Sequence, residues 1–139
     1  MTKTGRFLPS PRRVVLLVPP DGQLIGMIGF MEALNAANRV RASRDRPPLY
    51  SLALVGVGAQ TATAAGVVLQ TDRADGQDGP HTLVVGGALE SVTAPAPPAV
   101  RAEVARLATD ATRVVAVCAG AFVLGELGML DGRRCTTHW

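Results

Sequence analysis

A chain of 139 residues with 47% apolar side chains is long enough to bury a core of its own and fits one domain. Its 14 basic and 11 acidic residues leave a net charge of +3 that is spread along the chain with only 4% aromatics, which argues against nucleic-acid contact by these residues themselves. Two cysteines without a C-x-x-C pair exclude a disulfide framework and a zinc site, so no metal is expected and a reducing cytoplasm is the simplest setting.

Residues 1–12 mix charge, Gly and Pro without a period, which predicts a mobile tail, with order beginning near Arg13. Ser10-Pro-Arg-Arg13 before an apolar run faintly resembles an export signal, but the run stops at Pro19-Pro20 with no small-residue cleavage site. No other segment approaches a membrane span. Val14–Val18 is a continuous β-branched and aliphatic run, the mark of a strand covered on both faces. Asp21-Gly22 turns the chain. Met27, Met31, Leu34 and Ala37 then recur at helical spacing up to Val40, with Asn35, Asn38 and Arg39 on the other side.

Arg44-Asp-Arg-Pro-Pro48 breaks that helix. The segment Tyr50–Val57 reads as the next strand, 67–69 as a shorter one, and 72–80 as turn-rich. Thr82–Val85 is another buried strand and stops at Gly86-Gly87. Pro97-Pro98 opens a helix with Val100, Val104, Leu107 and Ala111 on one face. The strand Val114–Val117 follows, then a helix from Ala119 to about Gly128, a turn at Leu130–Gly132, and an extended start at Cys135–Trp139. Alternating strands and helices predict an α/β fold with a mainly parallel sheet between two helical layers. Sites in such sheets lie beyond the carboxyl ends of the strands, where both Gly86-Gly87 and Cys118 fall. The glycines after the first strand miss the spacing of a dinucleotide fingerprint, and no cofactor is implied.

The densest signal is Arg113-Val-Val-Ala-Val-Cys118-Ala-Gly-Ala-Phe122. A strand that turns sharply into a helix presents the turn residue at the sheet edge, and the turn needs small neighbours. Ala116 and Gly120 supply them, so the pattern reads as a nucleophile elbow carrying sulfur. A helix starting at Ala119 would aim N–H groups at Cys118 and favour a reactive thiolate. The competing reading is a small cysteine filling an apolar site.

With Leu127-Gly-Met-Leu-Asp-Gly-Arg-Arg and Thr136-Thr-His-Trp139 at matching spacing, the chain from Arg13 to Trp139 resembles the ThiJ/PfpI branch of the class I glutamine amidotransferase-like superfamily. Within it, the chain is most similar to the N-terminal domain of GlxA-type AraC-family transcriptional regulators. Gln23-Leu24 through Glu32-Ala33 and Leu83-Val-Val-Gly-Gly87 match less fully. The resemblance implies a flavodoxin-like, three-layer α/β/α sandwich. It places Cys118 as the elbow cysteine, His138 as the histidine near it, and Glu32 as an acid close to the thiol. Backbone N–H groups of Gly87 and Ala119 would bind a developing oxyanion, with Gly86 and Gly26 beside the same pocket.

Three departures bear on function. Gly26 stands where the family's loop after the first strand usually carries an acid, Phe30 replaces a customary proline, and Val85 replaces a proline before the two glycines. Loss of an acid removes a proton donor or acceptor from the thiol's reach. The expected function is therefore a sensor domain for a small-molecule metabolite, a homodimer, with DNA contacted only through a C-terminal domain not present here. The rival is a cysteine-dependent hydrolase, hydratase or glyoxalase-like enzyme using Cys118, His138 and Glu32, and a third possibility is oxidation sensing at Cys118. The resemblance also implies a domain incomplete at its C-terminus. The plain alternatives place His138 on a frayed strand, Glu32 as a solvated charge, His81 in solvent, Cys135 as a small buried filler, and Met27, Met31, Met129 and Phe122 in the core.

Overall fold

The apolar run near the N-terminus divides its side chains between two faces, and that division sets the layers. In the computed structural model, which describes residues 10–76 and 79–137, Arg12–Leu17 forms strand β1. Val14, Leu16 and Val18 pack on one side around Met27, while Val15 and Leu17 pack on the other with Val100, Val104, Leu107 and Val123. Successive strand residues point to opposite faces, so a strand that is apolar at every position must be covered on both.

The chain continues through α1 (Leu24–Ala42), β2 (Tyr50–Gly56), β3 (Gln60–Ala62), β4 (Val68–Gln70), β5 (Asp72–Arg73), β6 (Thr82–Val85), α2 (Pro98–Thr109), β7 (Arg113–Ala116) and α3 (Gly120–Glu126). Five strands form a parallel sheet in the order β5-β2-β1-β6-β7. Helix α1 covers one face and α2 with α3 the other, which makes the three-layer α/β/α sandwich. Proline at the first position of α2 supplies a φ already suited to a helix. Val100, Val104 and Leu107 on its inner face are fully buried, each contributing about 1.5–3 kcal/mol of apolar burial. On α1, the half-buried Asn38 does more than face solvent: its amide donates to Tyr50 O at 2.8 Å and accepts from Leu49 N at 2.9 Å and Tyr50 N at 3.1 Å. That clamp fixes the start of β2 against the helix.

The register pairs Leu17 with Val85 and Val85 with Ala116, so the chain leaves β1, β6 and β7 side by side. The strand order also reverses between β1 and β6, where ligands of open α/β sheets bind beyond the carboxyl ends.

Three expectations need correction. Strict alternation fails between β2 and β6, where the described residues hold no α-helix; the Gly-, Ala- and Thr-rich stretch carries no helical apolar period and folds instead into an antiparallel hairpin of β3 and β4. The extended segment expected from Cys135 is irregular over 135–137, and 138–139 lie outside the described residues. The tail expected over 1–12 also lies outside them for residues 1–9, and Arg12 already opens β1. No helix among the described residues is long and apolar enough to cross a membrane.

Candidate functional site

Strand β7 passes into α3 through three residues. Val117 N still donates to Val85 O at 2.9 Å, so sheet bonding runs one residue past β7. Cys118 then takes φ 55°, a left-handed conformation that costs an L-residue about 1–2 kcal/mol. Ala119 returns to the right-handed region (φ −63°, ψ −8°). The turn closes through Gly120 N to Val117 O at 3.0 Å and Ala121 N to Cys118 O at 3.3 Å. Helix α3 is shorter than expected, ending at Glu126 and breaking into turns up to Gly132, because Gly128 and Gly132 adopt φ 70° and 68°.

Close packing of backbone on backbone holds this turn in place. A Cβ on Gly87 would collide with Gly120 N and with the Ala119 backbone, and a Cβ on Gly120 would collide with Val85 O. The loop after β6 and the first turn of α3 therefore touch through main chain alone, which places Gly87 against Ala119.

The side chain of Cys118 is half-buried, and its Sγ donates to Gln23 Oε1 at 3.5 Å. Gln23 is tied in place by its own N–H, which donates to Gly87 O at 3.0 Å. The Cys118 carbonyl accepts from Thr137 Oγ1 at 3.1 Å, which draws the segment after α3 back over the turn.

The other expected site residues separate into those near the thiol and those away from it. Gly26 lies in the first turn of α1, and a Cβ there would meet Val117 Cγ1 at 2.6 Å, so the position the family gives to an acid is filled by a neighbouring side chain. Gly86 packs at the same edge, with its N–H donated to Leu17 O at 3.0 Å. Glu32 does not face the thiol. Its side chain is 62% exposed, lies 3.6 Å from Arg39, and sits about 13 Å of helix rise beyond Gln23. His138 lies outside the described residues. His81 is half-buried at the amino end of β6, with Nδ1 3.0 Å from Thr82 Oγ1, remote from the carboxyl edge. Among the described residues, no group of three or more His, Cys, Asp or Glu side chains is placed to hold a metal ion.

Beside the turn lies an open cavity of about 610 Å³ between the 91–95 loop, one face of α3 and residues 135–137. Val92, Pro95, Phe122 and Leu130 supply apolar walls. Cys135 lines this cavity and is exposed, so it is not a buried filler; the irregular chain around it offers no layer to cover it. Glu126 marks the polar side, its carboxylate accepting from Ala96 N at 3.1 Å and lying 3.9 Å from Arg101 Nε. Sequence reasoning passed over both Gln23 and Glu126. Gln23 carried one signal, a polar residue between the first strand and the first helix, but its pairing with a thiol 95 positions away belongs to the fold.

The comparisons with known proteins agree with this geometry. The DJ-1/PfpI family model matches residues 12–139. An uncharacterized protein encoded in the cpoL 5' region of Streptomyces lividans is 38% identical over 132 residues, spanning 94% of this chain and 89% of that protein. A candidate transcriptional regulator from Vibrio parahaemolyticus superposes with a TM-score of 0.74 at 20% identity, covering 92% of this chain and 67% of the other. An AraC family transcriptional regulator from Pseudomonas putida superposes with a TM-score of 0.68 at 22% identity, again over 92% of this chain and 67% of the other. At such identities the superpositions speak to fold, and the match over residues 12–139 speaks to descent: the chain belongs to the DJ-1/PfpI family.

Proposed function

We propose that this chain is the ligand-sensing domain of an AraC-type transcriptional regulator, binding a small metabolite beside Cys118 and passing its bound state to a DNA-reading domain. Cys118 in this reading stands at a nucleophile elbow, used to contact a ligand rather than to turn one over. The observation that carries it is the amide facing the thiol. Gln23 Oε1 accepts from Cys118 Sγ, Val117 occupies the space at Gly26, and Glu32 faces Arg39 instead. A carboxylate moves protons near neutral pH, whereas an amide only donates and accepts hydrogen bonds. In this reading the backbone N–H groups of Gly87 and Ala119 hold a polar end of the ligand; the cavity beside α3, which has the size of small-molecule sites, begins further along at Ala121 and Thr137 and is not lined by Cys118, Gln23, Gly87 or Ala119.

The same reading includes a homodimer. Ile25 is 88% exposed and Ile28 39% exposed on the first turns of α1, while Val67 and Val68 are exposed on the hairpin that Ala64 N joins to Gly22 O at 3.3 Å. Apolar side chains gathered on two adjoining elements favour burial against a second copy.

Isothermal titration of the purified chain with a panel of amino acids, their amides and short amines tests the sensor. A saturable heat with one member, lost in Gln23→Leu and Cys118→Ser, and no product formed, is the expected result. Consumption of a panel member, or of an organic isocyanide, that stops in Cys118→Ser would overturn it in favour of an enzyme.

A further inference from the structure

The chain holds two cysteines, neither in a disulfide, and both lie by the same short segment. Cys118 O accepts from Ala121 N at 3.3 Å and from Thr137 Oγ1 at 3.1 Å, so the chain two residues beyond Cys135 rests directly on the Cys118 peptide. Cys135 also lines the same cavity as Ala121 and Phe122, which begin one turn after Cys118. Two residues of extended chain span at most about 7 Å, so Cys135 is tethered within a short swing of the turn. A disulfide needs Cα atoms about 4.4–6.8 Å apart, and the segment that must close that gap is irregular, exposed at residues 131–136, and joined to the turn by the Thr137 hydroxyl.

We propose that Cys135 is the resolving thiol for Cys118, so that a hydroperoxide converts the pair into an intramolecular disulfide. In the first step Cys118 sulfur attacks the distal peroxide oxygen; an S–O bond forms, the O–O bond breaks, and the departing alkoxide or hydroxide leaves with a proton as alcohol or water. Cys118 is then a sulfenic acid, oxidised by two electrons, and the peroxide is reduced by the same two. In the second step Cys135 sulfur attacks Cys118 sulfur; the S–S bond forms, the S–O bond breaks, and the hydroxyl leaves with the Cys135 proton as water. In this order Cys118 takes the oxidant, and the exposed Cys135 arrives by movement of residues 133–137, which releases the Thr137 bond. Closure would pull that segment across the mouth of the cavity and change its shape, coupling redox state to the lining of the 610 Å³ space. The inference goes beyond ligand sensing, and its assay reads thiols rather than ligand binding, so either can fail without the other.

The full chain is treated with increasing hydrogen peroxide, quenched with iodoacetamide, and weighed intact with peptide mapping. Expected is a monomer about 2 Da lighter with both thiols blocked to alkylation, restored by dithiothreitol, and a peptide joining Cys118 to Cys135. In Cys135→Ser, an exposed position whose change leaves the core intact, Cys118 instead climbs by about 16 and then about 32 Da. In Cys118→Ser, Cys135 stays alkylatable through the same titration. Wild-type Cys118 gaining about 32 Da while Cys135 is still alkylatable, or a disulfide found only between chains, would overturn the proposal.

Discussion

Two junctions meet at the carboxyl edge of the sheet, and they are built differently. From β7 to α3 the chain spends three residues, one of them left-handed, with glycine backbones locked against each other so that nothing but main chain fits. From β1 to α1 it spends six residues, 18–23, held by scattered bonds such as Gly22 N to Pro19 O at 3.1 Å and Gln23 N to Gly87 O at 3.0 Å. The first junction decides where the sulfur stands. The second decides what the sulfur faces: Asp21 is left-handed there too, at φ 55°, and backbone bonds donated by Val18, Asp21, Gly22 and Gln23 set Gln23 beside the thiol. Here it supplies an amide, and a packed Val117 takes the place of an acid.

The contrast can be broken at its tightest point. Gly87→Ala and Gly120→Ala both force a methyl into main-chain atoms that cannot swing away, so each is expected to cost about 3 kcal/mol or more. Chemical denaturation measures it, and a loss below about 0.5 kcal/mol would mean the two loops can slide apart.

Restoring the acid sharpens the comparison. Gly26→Asp must displace Val117 Cγ1 and is expected to lose about 1–3 kcal/mol, whereas Gly26→Asp with Val117→Ala recovers part of that loss because the truncated neighbour makes room. Additive losses in the double variant would show that some other contact excludes the acid. Asn38→Ala, away from both junctions, leaves Leu49 N and Tyr50 O without their side-chain partner and should cost about 1–3 kcal/mol. Cys118 alkylation by iodoacetamide should change little in that variant, since its effect is confined to the start of β2.

Much of this architecture was legible in the chain. Thr82–Val85 is bounded as predicted because the apolar Leu83–Val85, opened by Thr82 and closed by two glycines, makes a short buried strand, and α2 begins at Pro98 because proline suits that position. The turn at Cys118 was legible too, since small residues on both sides leave room for a backbone that bulkier ones would block. Strand β4 was read from its apolar residues as 67–69, but its partner β3 was not: Thr61 in β3 and Thr71 just after β4 are buried 3.4 Å apart through their hydroxyls, and a polar pair gives no apolar period to read. Nor were the thiol's surroundings. Glu32 carries the right charge at the family's position, yet an exposed arginine two turns along the same helix lies beside its carboxylate, while Gln23 reaches the sulfur from a distant part of the chain. Spacing reports which residues share an element, and contacts between elements are settled only when the sheet order brings their ends together.

The central claim is that the sheet edge forces residue 118 into a left-handed turn and so sets its side chain against Gln23. The direct measurement is the unfolding free energy of Cys118→Gly against Cys118→Ala. At an ordinary helix or strand position glycine is the less stable by about 0.5–1 kcal/mol. At φ 55° the order should invert, with Cys118→Gly more stable than Cys118→Ala by about 1 kcal/mol. Alanine proving equal or superior to glycine at this position would contradict the account.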